Sequence, residues 1–397
     1  MDDVVTEYCL LGLRFDRLVE GFVDAFTGDP ELKRRVDDEP TPDPIALAKS
    51  AARLRGDLAS AGLDDGRRVY LEAQLRALEA SGRSLAGEPM GFVDEVEAYF
   101  EVRPTMGDQD GYAAAHEALD VLLPGAGSLR ERYLAFRSAD EIPPARLGDT
   151  MHALSSALRD RVRATFGLPE QETVTYDVVT DQPWSGFNYY LGDYHSRVAV
   201  NADLPMRLSD LPHLVAHESY PGHHTERCHK EQLLVEGKRW AEQTIMLVNT
   251  PECLMAEGLA DLGLQVAVGR GWGAWAQEVY ADLGLRFDGD HAEAISRARA
   301  PLGLVNQDAA LLLHDRGASQ DEVVAYICRW ALVPEDRARK SLQFLTSPLW
   351  RAYTSTYAEG YRLLGAWLDG GDEQAKFLRL LDEPLTPSAI ATELAAT

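Results

Sequence analysis

Pro221 stands four residues after His217 in the run His217-Glu218-Ser219-Tyr220-Pro221-Gly222-His223-His224, and that position excludes one straight helix through the segment. A proline there has no N–H to donate to the His217 carbonyl, and its ring crowds that carbonyl. Gly222 beside it tolerates backbone angles that other residues avoid. Apolar residues lead into the run (Leu214-Val215-Ala216), and the spacing predicts helix over about 208–234, so a kink or bulge is expected inside it.

Three imidazoles and a carboxylate within eight residues have the composition of a metal site. In the pattern H-E-x-x-H, two histidines four apart share a helical face and bind zinc, while the intervening Glu polarises a water. Here Pro221 occupies the place of the second histidine. On a straight helix His224 would lie within about 20° of His217 and His223 roughly 120° away, whereas a kink could turn His223 inward. A straight helix therefore favours His224 as the second histidine, and a kink leaves His223 open as the other choice.

Forty residues past His217, the chain reads Glu257-Gly258-Leu259-Ala260-Asp261. The two carboxylates are four apart and so share a helix face. Their small and apolar neighbours imply burial, where an unpaired carboxylate is costly. Glu257 is therefore expected to be a ligand, and Glu252, beside Pro251, is the weaker candidate. His213 and His229 flank the run and are expected to be exposed. One zinc ion is the implied cofactor.

With 397 residues, 45% of them hydrophobic, the chain can bury a large core without a metal as a staple, so a metal here would serve function. A formal charge of −25 opposes binding to nucleic acid or anionic lipid, which need clustered Lys and Arg. Four cysteines without a C-x-x-C pair and an acidic Met1-Asp2-Asp3 start imply a cytoplasmic protein. No apolar run is long enough to cross a membrane.

Apolar residues recur at helical steps from Val4 through Phe22 to Phe26, and helices are expected over most of the remaining chain, including about 238–269, 291–316 and 348–370. Residues 173–180, 187–192 and 196–201 are β-rich, with turn signals at Pro183-Trp184-Ser185-Gly186 and Gly192-Asp193-Tyr194. The expected fold is mainly α: an elongated multi-helix body with a small antiparallel sheet just before the histidine-rich helix. An N-terminal helical region, 1–170, and a zinc-binding catalytic region, 171–397, are expected to pack as one body. Arg197-Val198-Ala199-Val200-Asn201 is taken as an exposed edge able to pair with an extended peptide.

The pattern H-E-x-x-P-G-H-H followed by E-G-x-A resembles the large bacterial family numbered 885 among domains of unknown function, whose members look like zinc metallopeptidases of the gluzincin type. The resemblance covers roughly residues 186–265. It implies His217, His223 and Glu257 as zinc ligands, and Asp261 as the acid that fixes the tautomer of a ligand histidine. His314 and the Tyr357-Ala358-Glu359-Gly360 element are similar to further family elements, although the Gly before the histidine is absent. The chemistry implied is peptide hydrolysis with Glu218 as general base. The donor opposite the metal would be Tyr357, Tyr353 or His314, in that order. Expected partners are a peptide or small-molecule substrate, with neither nucleic acid nor membrane. Alternative readings are a hydrolase of a non-peptide amide or ester, and a catalytically silent binding protein.

Overall fold

The computed structural model describes residues 3–181, 186–203 and 205–396, so the expected turn at Pro183-Trp184-Ser185 lies outside the described residues. The fold is mainly helical with small sheets, as the apolar spacing implies. Helix ends follow local chemistry. Ser128 and Ser319 form reciprocal capping boxes with Glu131 and Glu322, and Pro30, Pro44, Pro144, Pro251 and Pro387 open helices where no N–H is required. No helix is long and apolar enough to cross a membrane among the described residues.

Among the described residues, five strands interrupt the helices: β1 (Val23–Phe26), β2 (Thr173–Val179), β3 (Gly186–Gly192), β4 (His195–Asn201) and β5 (Ile245–Leu247). The first and last correct the sequence reading. The stripe from Val4 to Phe26 is not one helix. The helix Asp3–Leu18 ends, Gly21 turns with φ +85°, and β1 pairs antiparallel with β5, drawn from a stretch read as helical. Val23 faces Leu247 and Ala25 faces Met246, which leaves Asp24 as the extra residue of a bulge.

The sheet before the histidine run is mixed, not antiparallel: its order is β2-β4-β3, with β2 parallel to β4. The left-handed residues Gly192, Asp193 and Tyr194 close a tight hairpin that joins β3 to β4. That hairpin occupies one side of β4, and β2 takes the other. Arg197–Asn201 is therefore the central strand, and the edges are β2 and β3.

The helix Pro251–Ala267 is buried almost all round and runs between the helices Leu211–Glu218 and Thr354–Asp369. One apolar cluster joins Leu10, Phe15 and Leu78 to Ile245 and Leu247. Another joins Val96 and Phe100 to Leu254 and Leu259. The core around the acid-bearing helix thus draws on buried residues from Ala80 to Ile390.

Candidate metal centre

The expected kink is present, and it is sharp enough to split the helix in two. Helix Leu211–Glu218 stops at Glu218, Ser219 adopts φ −125° and ψ −82°, the Tyr220–Pro221 peptide is cis, and a second helix starts at His223 and runs to Lys230. Gly222 donates to the Ala216 carbonyl at 2.9 Å. A Cβ at Gly222 would fall 1.8 Å from the His217 carbonyl oxygen, so only glycine fits there. Each strand of the three-stranded sheet grips this turn. Tyr176 of β2 shares a hydrogen bond with Ser219 Oγ at 2.6 Å, Asn188 of β3 donates to the Glu218 carbonyl at 2.6 Å, and Ser196 Oγ of β4 meets His224 Nδ1 at 2.9 Å.

Beyond the bend, three side chains converge. His217 Nε2 lies 3.2 Å from His223 Nε2 and 3.4 Å from Glu257 Oε2, and His223 Nε2 lies 3.5 Å from Glu257 Oε1. Donors about 2.0–2.2 Å from a tetrahedral zinc are roughly 3.3–3.5 Å from one another, so these separations are those of a closed coordination face. Among the described residues Glu257 Oε2 is buried without a hydrogen-bond partner, a cost that a cation would remove. The triad His217, His223 and Glu257 could therefore hold a metal ion. Around it, His217 Nδ1 meets Asp261 Oδ1 at 2.9 Å and Tyr353 donates its hydroxyl to Glu257 Oε1 at 2.7 Å, which fixes one histidine and the carboxylate in place.

The electrostatics favour positive charge. Burial opposes a charged His217, yet Asp261 and Glu257 outweigh it and hold its pKa well above the ordinary value. Burial pushes His223 down to about 4, leaving it neutral, the form that donates to a metal. Burial is the largest influence on Glu257 and Asp261 and acts to raise both, but their histidine partners hold each carboxyl below its usual range. Glu218, only 6% exposed, differs: burial pushes its carboxyl up to about 7, with Glu257, Asp24 and Asp261 adding to the effect of burial against His217.

His224 points the other way. Its Nε2 meets Glu172 Oε2 at 3.1 Å, and the same buried carboxylate accepts from Tyr220 at 2.6 Å, Arg159 at 2.5 Å and Arg163 at 2.8 Å. The bend, not helical angle, decides which histidine faces Glu257. Glu252 is likewise engaged elsewhere, accepting from Arg227 at 3.2 Å and Tyr70 at 2.6 Å. His229 is buried rather than exposed, bridging Asp382 and the Gly167 carbonyl at 2.7 and 3.1 Å, while His213 is exposed as expected. His314 bonds the Leu345 carbonyl at 2.7 Å and stacks on Phe92, and no bond or ring contact joins it to the triad among the described residues. Tyr353 and Tyr357 are both at the site, in ring contact at 5.6 Å. Tyr357 is 40% exposed. Burial and the charges of Glu257, Asp261 and Glu218 hold its phenol well above the ordinary value.

Two neighbours of the site went unread in the sequence. Asn188 carried no signal beyond being polar within a β-rich run. Asp24 did carry one, a lone carboxylate inside the apolar Phe22-Val23-Asp24-Ala25-Phe26. The β1 bulge brings it within electrostatic range of Glu218 and Glu257.

Fold and site together describe a mainly helical protein with a buried histidine–glutamate triad suited to a metal ion. No protein-family model matches the chain, so the resemblance to the family numbered 885 stands on the quoted motif alone, and no curated protein matches it either. Solved structures do match in fold. A "putative lipoprotein from Colwellia psychrerythraea" superposes with a TM-score of 0.55 at 14% identity, covering 92% of this chain and 69% of that one. A "putative lipoprotein of unknown function from Shewanella oneidensis" gives 0.56 at 13% identity, covering 89% and 73%. An M32 carboxypeptidase from Deinococcus radiodurans R1 superposes at 0.41 with 12% identity, over 99% of this chain and 94% of that one.

Proposed function

We propose that the protein is a zinc-dependent metallopeptidase in which Glu218 is the general base. The observation carrying this reading is the closed face formed by His217, His223 and Glu257, with Glu218 next to the first of them in the chain. A zinc ion held there would supply a water that loses its proton near neutral pH and a positive charge for the developing oxyanion. Glu218, pushed up to about 7, is matched to accept a proton from the attacking water and deliver it to the leaving amine. Asp261 keeps the proton of His217 on Nδ1, so that Nε2 faces the triad. Tyr357 stays protonated at neutral pH and makes no hydrogen bond among the described residues, leaving its hydroxyl as a donor to the oxyanion. The strand β3 is an edge of its sheet, and a Cβ at its first residue, Gly186, would lie 3.2 Å from Glu218 Oε1. An extended peptide added to that edge would run past the base, which favours a peptide as substrate.

The test is metal analysis together with cleavage of a peptide library, for wild type and Glu218→Gln. About one zinc per chain is expected in both, with cleavage reduced at least about a hundredfold in the variant. Wild-type protein purified without chelators and lacking zinc would overturn the reading.

A further inference from the structure

We propose a second divalent-cation site on the outer side of His217, built by His213 and Asp261, through which excess zinc acts on the inner centre. His213 and His217 are four residues apart in the helix Leu211–Glu218, so their imidazoles share one face. Asp261 reaches that face from the neighbouring helix. Its Oδ1 lies 3.4 Å from His213 Nε2 and 2.9 Å from His217 Nδ1, and each of the three residues offers one ligand atom within 4.8 Å of the others. The 3.4 Å separation is again roughly that of two donors on one zinc ion. Imidazole with a single carboxylate oxygen suits zinc or another borderline metal, whereas magnesium and calcium demand several oxygens. The His213 side chain is 51% exposed, which leaves an ion a path from solvent and room for water ligands.

The two sites are joined by one ring. His217 turns Nε2 to Glu257 and His223 and Nδ1 to Asp261. An outer ion bound to His213 Nε2 takes the Asp261 oxygen that accepts from His217 Nδ1, so the inner ligand loses the partner that orients it. With two protein donors against three, the outer site is the weaker. Binding there needs only the residues just named, while the loss of activity that follows rests on the proposed function.

Zinc uptake by the full chain, measured by equilibrium dialysis, tests this for wild type, His213→Asn and His223→Ala. Wild type is expected to take up one tight and one weaker ion, and His213→Asn the tight ion alone. His223→Ala should lose the tight ion and keep the weaker one. Raising zinc into the weak range should lower wild-type kcat/KM about tenfold, the effect of removing a residue that orients a metal ligand, and spare His213→Asn. Wild type that saturates at one ion, or His213→Asn that binds two as wild type does, overturns the proposal. A chain without the tight ion that still binds zinc through His213 overturns the inner centre and supports the outer site.

Discussion

A Cβ on Gly258 would lie 2.6 Å from the carbonyl carbon of Gly360, so the helices Pro251–Ala267 and Thr354–Asp369 touch backbone to backbone. This crossing sets Glu257 opposite Tyr353 and Tyr357. Glycine at both positions is what lets one helix place the carboxylate while the other brings the phenols to it.

Gly258→Ala is therefore expected to force the helices apart and destabilise the protein by about 1–3 kcal/mol, the cost of overpacking. The Tyr353 hydrogen bond to Glu257 should stretch as well. Chemical denaturation measures the first effect, and zinc affinity, expected to fall, measures the second. Unchanged values for both would mean that the crossing is not tight.

His223→Ala and His224→Ala should part company. The first removes a member of the triad and is expected to abolish tight zinc binding. The second should keep the metal but lose about 1–3 kcal/mol of stability, because the buried Glu172 loses a partner beside Ser196 and Tyr220. Metal content and a denaturation curve for each variant separate the two roles, and zinc retained by His223→Ala would reverse them.

The two tyrosines should differ too. Tyr353 is committed to Glu257, so Tyr353→Phe is expected to weaken zinc binding about 10–100-fold, as loss of such a supporting bond does. Tyr357→Phe should leave zinc affinity unchanged and lower kcat about 10²–10³-fold, the loss expected of a donor to the oxyanion. Equal kinetic effects of the two substitutions would contradict this division.

Asp24 gives the stability a pH dependence. Burial, with Glu257, Glu252 and Glu226 outweighing Arg227, pushes its carboxyl up to about 7. Its folded-state pKa is raised, so its contribution to stability is fully present below the ordinary carboxylate value and is lost as pH rises through about 7. Asp24→Asn does not suffer that loss. In chelator-treated protein the variant should gain stability relative to wild type between about pH 5 and pH 8, as read by urea denaturation. A difference that does not change with pH would refute the assignment.

The sequence carried the parts of the site that depend on local chemistry. Pro221 and Gly222 announce the bend, Glu257 and Asp261 stand four apart whatever surrounds them, and helical spacing reports the mainly α fold. Other features were illegible because they depend on pairing between distant segments. Ile245-Met246-Leu247 reads equally well as a buried helix or a strand, and only β1 beside it makes it β5. Strand order in the three-stranded sheet likewise depends on which neighbour the Gly192 hairpin brings first.

Sequence alone therefore determined that the helix must bend near Pro221 and which donors lie near the bend, since proline geometry and residue spacing act within a few residues. Only the tertiary structure decided that His223 faces Glu257 while His224 faces Glu172, that Tyr353 and Tyr357 reach the triad while His314 does not, and that Asp24 and His213 border it. Those outcomes depend on how the sheet clamps the bend and how closely two glycines let helices approach, and contacts between residues far apart in the chain have no signature in local spacing.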